Sequence, residues 1–200
     1  MTSAAKASFD LHISECREAI LIYQHLDRSG YKAEFGLRFV WIAAVSALDH
    51  YITEIVIEIA TERFANKNPQ TAKLRNEKIP FDRAFNITNS NQIVAVLAFR
   101  TAISNAVRYK SFQGANAIGD GLSFIWDELH KWERLSTELG IPVEDAREKI
   151  NNITNRRNLI AHNADFDEAM KKRIVVSEAD ALEVVSFVEK LVSSIEKLII

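Results

Sequence analysis

The stretch RRNLIAHNAD, residues 156–165, collects two arginines, an asparagine and a histidine within seven positions. Arginine presents a planar fork of donors matched to phosphate oxygens and keeps its charge at every ordinary pH, while histidine as a residue type titrates near neutrality and can move a proton. Together they suit cleavage of RNA without a metal. A base takes the proton from the 2′-hydroxyl, and the guanidinium steadies the negative phosphorane. Asn158, one helical turn before His162, is placed to hold the imidazole or a phosphate oxygen.

These residues need a helix to position them. At about 100° per residue, Asn151, Asn155, Asn158 and His162 fall at about 0°, 40°, −20° and 20°, a narrow polar stripe. A solvated helix face is more usually built of Glu and Lys, because Asn competes for backbone hydrogen bonds. The stripe therefore reads either as a functional face or as Asn side chains tying down neighbouring loops. Arg157 lies instead near Val143, Ile150, Ile153 and Ala161, the face that should meet the core. A buried unpaired charge is costly, so its guanidinium is expected against a partner or at an interface. Arg157 and His162 are about 140° apart on a straight helix, too far around to grip one small group directly. Three arrangements relieve this: the helix loosens before His162, the Arg side chain wraps around, or a second protomer supplies part of the site across a twofold axis.

The rest of the chain reads as one helical domain over residues 1–200. Hydrophobic residues make up 48% and charged residues 26%, with only six Gly and three Pro, too few for the turns of a sandwich or barrel. A formal charge of −2 excludes a protein that coats nucleic acid non-specifically, which needs a broad basic surface. The lone Cys16 cannot form an internal disulfide and reads as a reduced, partly buried thiol. The N-terminal MTSAAKASFD lacks a signal-like apolar stretch and no run of about 18 apolar residues occurs, so the expectation is a cytoplasmic protein with no membrane association.

Apolar spacing predicts a first helix over 8–27 and a long second helix over 33–64, about 45 Å if unbroken. The segment 66–89, with Pro69 and Pro80, reads as an irregular connection holding at most one short helical turn. A third helix is expected over 90–109, closed by the glycines of GANAIGDG. A fourth follows over 122–139, stopped by Gly140, and a fifth from Pro142 to Ala161. The IVV after Lys171, Lys172 and Arg173 is too short for a sheet. Ser177 and Asp180 form a capping-box pattern opening the last helix, 178–199. The predicted fold class is all-α, a single up-and-down bundle of five to six helices.

With the motif so placed, Arg157-Asn158-Leu159-Ile160-Ala161-His162 resembles the RN-x-x-x-H form of the R-x(4–6)-H signature of HEPN domains. It lies near the end of the penultimate long helix with one amphipathic helix after it, as in that superfamily. FVWIAAVSALDHYITEI, residues 39–55, is similar to the second helix of HEPN proteins associated with defence and restriction systems. HEPN domains are all-α bundles of prokaryotic toxin–antitoxin, abortive-infection and CRISPR-associated systems, and many are metal-independent endoribonucleases acting as dimers.

The resemblance implies catalytic roles for Arg157 and His162, with Asn158 in support, and no cofactor or metal. Arg156 also satisfies the spacing and is expected to contact phosphate. Asn155 is a further substrate-binding residue. Lys171, Lys172 and Arg173 read either as a solvated turn or as an RNA-backbone contact. Asp49 is an auxiliary acid orienting the site, or simply a polar residue beside a bundle interface; Ser46 lies one turn earlier. The implied partners are an RNA substrate, a second copy of the chain with the motif at the interface, and a cognate antitoxin or defence-system protein. The rival reading is a bundle that no longer cuts and serves as a dimerising or RNA-binding module for a separate effector. A third holds the motif coincidental and Arg157 part of a buried ion pair. His50 with Glu54, and His130 with Glu133, have helical spacing open to a metal but lack the HExxH pattern, and read as structural.

Overall fold

The computed structural model describes residues 2–167 and 169–200. The order is α1 (Ala4–Arg28), α2 (Glu34–Ala65), α3 (Ala72–Arg75), α4 (Phe81–Asn89), α5 (Gln92–Val107), α6 (Ala115–Leu122), α7 (Lys131–Leu139), α8 (Val143–His162), β1 (Phe166–Asp167), β2 (Lys172–Arg173) and α9 (Glu178–Ile199). The architecture is an all-α bundle with one two-residue antiparallel hairpin pairing Phe166 with Arg173 and Asp167 with Lys172.

α2 is the central element, packing on α1, α5, α6, α8 and α9. A helix contacted on so many sides must be apolar all round. Accordingly, an 18-residue window of α2 reaches a mean hydropathy of 1.4, enough by composition to cross a membrane, yet 61% of it is buried inside the bundle. No unbroken run of 18 apolar residues is present, since Arg38, Asp49, His50 and Glu54 interrupt α2, and the hydropathic window belongs to the core helix. Its buried residues Leu37, Leu48, Tyr51, Ile52 and Ile55 meet Phe9 and Ile13 of α1 and Val188, Leu191 and Ile195 of α9 in one core. Phe9 and Tyr51 pack edge to face with centroids 5.8 Å apart.

Local signals set the ends. The Ser3 side chain accepts from the Lys6 N–H and starts α1 earlier than periodicity indicates. Ser177 and Asp180 form a reciprocal capping box on α9. Gly140, at φ +69°, ends α7 in the left-handed conformation that a Cβ disfavours.

Three stretches depart from the expectation. The 66–89 connection holds two helices, α3 and α4; α4 packs on α5 and buries none of its own residues, so its short apolar pattern carried little signal. GANAIGDG does not merely close a helix but forms α6, because Gly121 lets α6 approach the core. A Cβ there would lie 2.7 Å from Phe112 Cδ1 and 2.9 Å from Ile52 Cγ2. The helix expected over 122–139 is only α7. Before it, Phe124 and Ile125 turn into the core, and the Phe124 carbonyl accepts from Thr71 Oγ1 at 2.9 Å. Trp132 then ties α7 to α6 by donating Nε1–H to the Ala115 carbonyl at 2.9 Å.

Candidate functional site

α8 begins after Pro142 and carries Glu144 and Asp145 in its first turn, where acidic side chains complement the exposed N–H groups. It remains helical through His162, and Asn163 N–H still bonds the Leu159 carbonyl at 2.9 Å. Loosening before His162 is therefore not how Arg157 and His162 are reconciled. The backbone reverses only afterwards, where Ala164 and Asp165 adopt φ of 50° and 60°.

The Asn stripe is divided in use. Asn151 Oδ1 accepts from the Ala115 N–H at 2.9 Å and so caps the start of α6 from outside it. Thr154, one turn on, donates to the Gln113 carbonyl at 2.6 Å. These two fasten the 111–115 segment to α8. Asn155, Asn158 and His162 are exposed. Asn158 Oδ1 accepts from Arg157 Nη1 at 3.0 Å.

The adjacent arginines separate sharply. Arg156 Nη2 lies 3.0 Å from Asp165 Oδ2, and Arg38 Nε from α2 reaches the same oxygen at 2.8 Å. Both arginines also donate to the Ile174 carbonyl. The Asp165 side chain is fully buried, and its Oδ1 has no hydrogen-bond partner. Two cations on one carboxylate clamp α2, the end of α8 and the irregular segment after the hairpin together. Arg156, expected to contact phosphate, is occupied in this clamp.

Arg157 has no carboxylate partner among the described residues. Its Nε is buried without a hydrogen-bond partner, an arrangement that disfavours an empty surrounding. It lines a hollow of about 490 Å³ together with Ser46, Asp49, His50, Arg108 and Gln113. His162 is not among the residues lining that hollow. Asp49 is fully engaged by the loop after α5: Oδ1 accepts from the Phe112 N–H and Oδ2 from Gln113 Nε2, both at 2.7 Å. It is thereby fixed in the wall of the hollow that Arg157 also lines.

Lys171, Lys172 and Arg173 are exposed on the hairpin. Among the described residues no group of three metal-ligating side chains gathers, and His130 faces Glu133 at 3.1 Å on the surface. Cys16 is fully buried, and burial pushes its thiol up to about 11, far from a nucleophile's range. Arg38, Arg108 and Gln113 escaped the sequence reading, and His50 entered it only as a structural residue paired with Glu54. The three that escaped come from α2 and the segment after α5, remote from the motif in sequence, and no local spacing marks them.

An all-α bundle whose penultimate long helix ends in Arg-Asn-x-x-x-His, with one long helix packed after it, defines a HEPN domain. The family model described as RiboL-PSP-HEPN matches residues 11–200, and the chain belongs to that family. No curated protein and no solved structure matches the chain. Membership in the HEPN family points to an RNA-related, nuclease-type function.

Proposed function

We propose that the chain is a metal-independent endoribonuclease of a toxin or phage-defence system, working as a homodimer with the motif at the interface. The observation that carries this reading is Arg157. It is a guanidinium without a carboxylate partner, beside a hollow, one residue before Asn158 and five before an exposed histidine, in a HEPN bundle. Ordinary structural arginines look like Arg156.

In the proposed reaction the RNA 2′-oxygen attacks the adjacent phosphorus. The O2′–P bond forms and the P–O5′ bond breaks, leaving a 2′,3′-cyclic phosphate and a 5′-hydroxyl. His162 accepts the 2′-hydroxyl proton, and a proton passes to the departing 5′-oxygen. The Arg157 fork meets the charge that grows on the phosphorane, and Asn158 holds that fork through Nη1. Because α8 stays regular, one protomer's His162 projects about 140° away from its Arg157. A twofold axis past the end of α8 would bring one protomer's His162 towards its partner's Arg157. Leu159 and Phe166, 38% and 43% exposed, flank the motif with the apolar surface such an interface buries.

The failure of His162 to line the Arg157 hollow within one chain is also what favours the rival, a non-cutting RNA-binding or dimerising module serving a separate effector. Size-exclusion chromatography with light scattering, combined with mixing of His162→Ala and Arg157→Ala protomers, separates the two. In a composite active site, mixed dimers regain one intact site and part of the activity. A non-cutting module shows no activity in any combination.

A further inference from the structure

We propose that the hollow beside Arg157 is a subsite for the nucleotide of single-stranded RNA that neighbours the scissile phosphate, a reading that rests on the ribonuclease function above. Three cations border it, Arg108, Lys110 and Arg157, against two carboxylates, Asp49 and Glu54. Asp49 is held in the wall by the Phe112 N–H and Gln113 Nε2, so it is not free to pair with an arriving cation or to swing into the hollow. Glu54 lies 3.4 Å from Arg108 in a loose, solvent-facing pair, and Lys110 reaches Glu77 only at 3.6 Å. Such exposed pairs are weak and exchange readily for a phosphate. The lining holds three cations against two carboxylates, with Glu77 behind Lys110, so the positive charge offered to an anion is what these loose pairs release. A phosphate that displaces them takes donors from Arg108, Lys110 and the Arg157 fork, whose Nε has no partner.

The remaining wall suits a base. Ser46 and His50 face solvent from α2. The His50 ring is set by an edge-on contact with His12, centroids 5.8 Å apart, leaving an imidazole on which an unstacked base can lie. The volume, about 490 Å³, falls within the roughly 300–1,000 Å³ of small-ligand sites. Arg157 itself connects this hollow to the motif, so a strand whose scissile phosphate sits at the motif runs its next nucleotide across α2 and the segment after α5.

The test measures the affinity of a short fluorescent single-stranded oligoribonucleotide over a series of salt concentrations, for His162→Ala and for His162→Ala combined with Arg108→Ala and Lys110→Ala. Cleavage kinetics are compared for the wild type and for Arg108→Ala/Lys110→Ala alone, with thermal melts confirming folding. The subsite predicts affinity weakened by at least about threefold and a salt slope shallower by about 1.4, or about 0.7 for each lost phosphate contact. It predicts a raised KM with kcat held within about twofold, and weaker binding with the salt slope retained for His50→Ala. Unchanged affinity and slope in the folded variants overturn the subsite while leaving ribonuclease activity standing. A fall in kcat at constant KM overturns it by moving these residues into the chemistry. Absence of both RNA binding by His162→Ala and cleavage by the wild type overturns the subsite and the ribonuclease reading together.

Discussion

Arg156 and Arg157, neighbours on α8, are engaged differently: Arg156 shares the buried Asp165 Oδ2 with Arg38 at 3.0 and 2.8 Å, while Arg157 borders a hollow and pairs with no carboxylate among the described residues. The first guanidinium fixes the end of the helix that presents His162. The second remains available to an anion. One guanidinium is thus engaged in an ion pair and its neighbour is not.

The clamp carries a stability prediction. Asp165→Ala leaves two largely buried guanidinium groups, 15% and 16% exposed, without their counterion. Breaking a buried pair in this way costs about 3–5 kcal/mol. At roughly 2–4 °C per kcal/mol for a domain of this size, the melting temperature falls by about 6–20 °C. Asp165→Asn keeps a hydrogen-bond acceptor and tolerates the φ of 60°, so it melts above Asp165→Ala. Differential scanning calorimetry of the two variants checks the order.

Arg157→Ala behaves in the opposite way. With no ion pair to break, it changes stability by less than about 1 kcal/mol, whereas loss of the phosphorane contact lowers kcat by at least about a hundredfold. Matched melts and single-turnover cleavage read both quantities from one preparation. A melt depressed as strongly as that of Asp165→Ala would mean that Arg157 is a structural cation.

Two glycines of α6 are predicted to differ. Gly121→Ala forces a methyl to within 2.7 Å of the Phe112 ring and 2.9 Å of Ile52, overpacking that costs about 1–3 kcal/mol. At Gly119 the nearest atom, Trp132 Nε1, is 3.6 Å away, an ordinary contact. Gly119→Ala is therefore neutral or stabilising by up to about 1 kcal/mol, from helix propensity and reduced freedom of the unfolded chain. Urea titrations resolve the contrast.

Alkaline pH should weaken the fold. Burial holds the Cys16 thiol up near 11 against an ordinary 9.0. Burial, and then the charge and hydrogen bond of Glu196, hold the Tyr51 phenol above its ordinary 10.0. In both cases the folded state keeps its proton where the unfolded chain releases it. Stability is therefore fully present below about pH 9 and declines as pH rises through that value towards the folded pKa values. Thermal melts between pH 7 and 10.5 are expected to fall above about pH 9, with Tyr51→Phe flattening the upper part of the decline.

The long elements were legible because each obeys a one-dimensional rule: the stripe through Phe9, Ile13 and Ile20, the all-round apolar α2, the capping box at Ser177. What escaped is set by tertiary contacts. α6 exists because Gly121 fits against Phe112 and Ile52, and the chain turns at Phe124, whose carbonyl accepts from the Thr71 hydroxyl. At the site, the spacing from Arg157 to His162 was visible in the sequence. Which of two adjacent arginines is free was decided by Asp165 and Arg38, residues 127 positions apart.

The most direct test of the account is gel analysis of mixed cellular RNA and tRNA incubated in excess chelator with wild type, His162→Ala or Arg157→Ala, with product ends mapped. Cleavage by the wild type alone is expected, leaving 2′,3′-cyclic phosphates and 5′-hydroxyls. Equal cleavage by folded His162→Ala, or no cleavage by a folded, dimeric wild type across these RNAs, would contradict it.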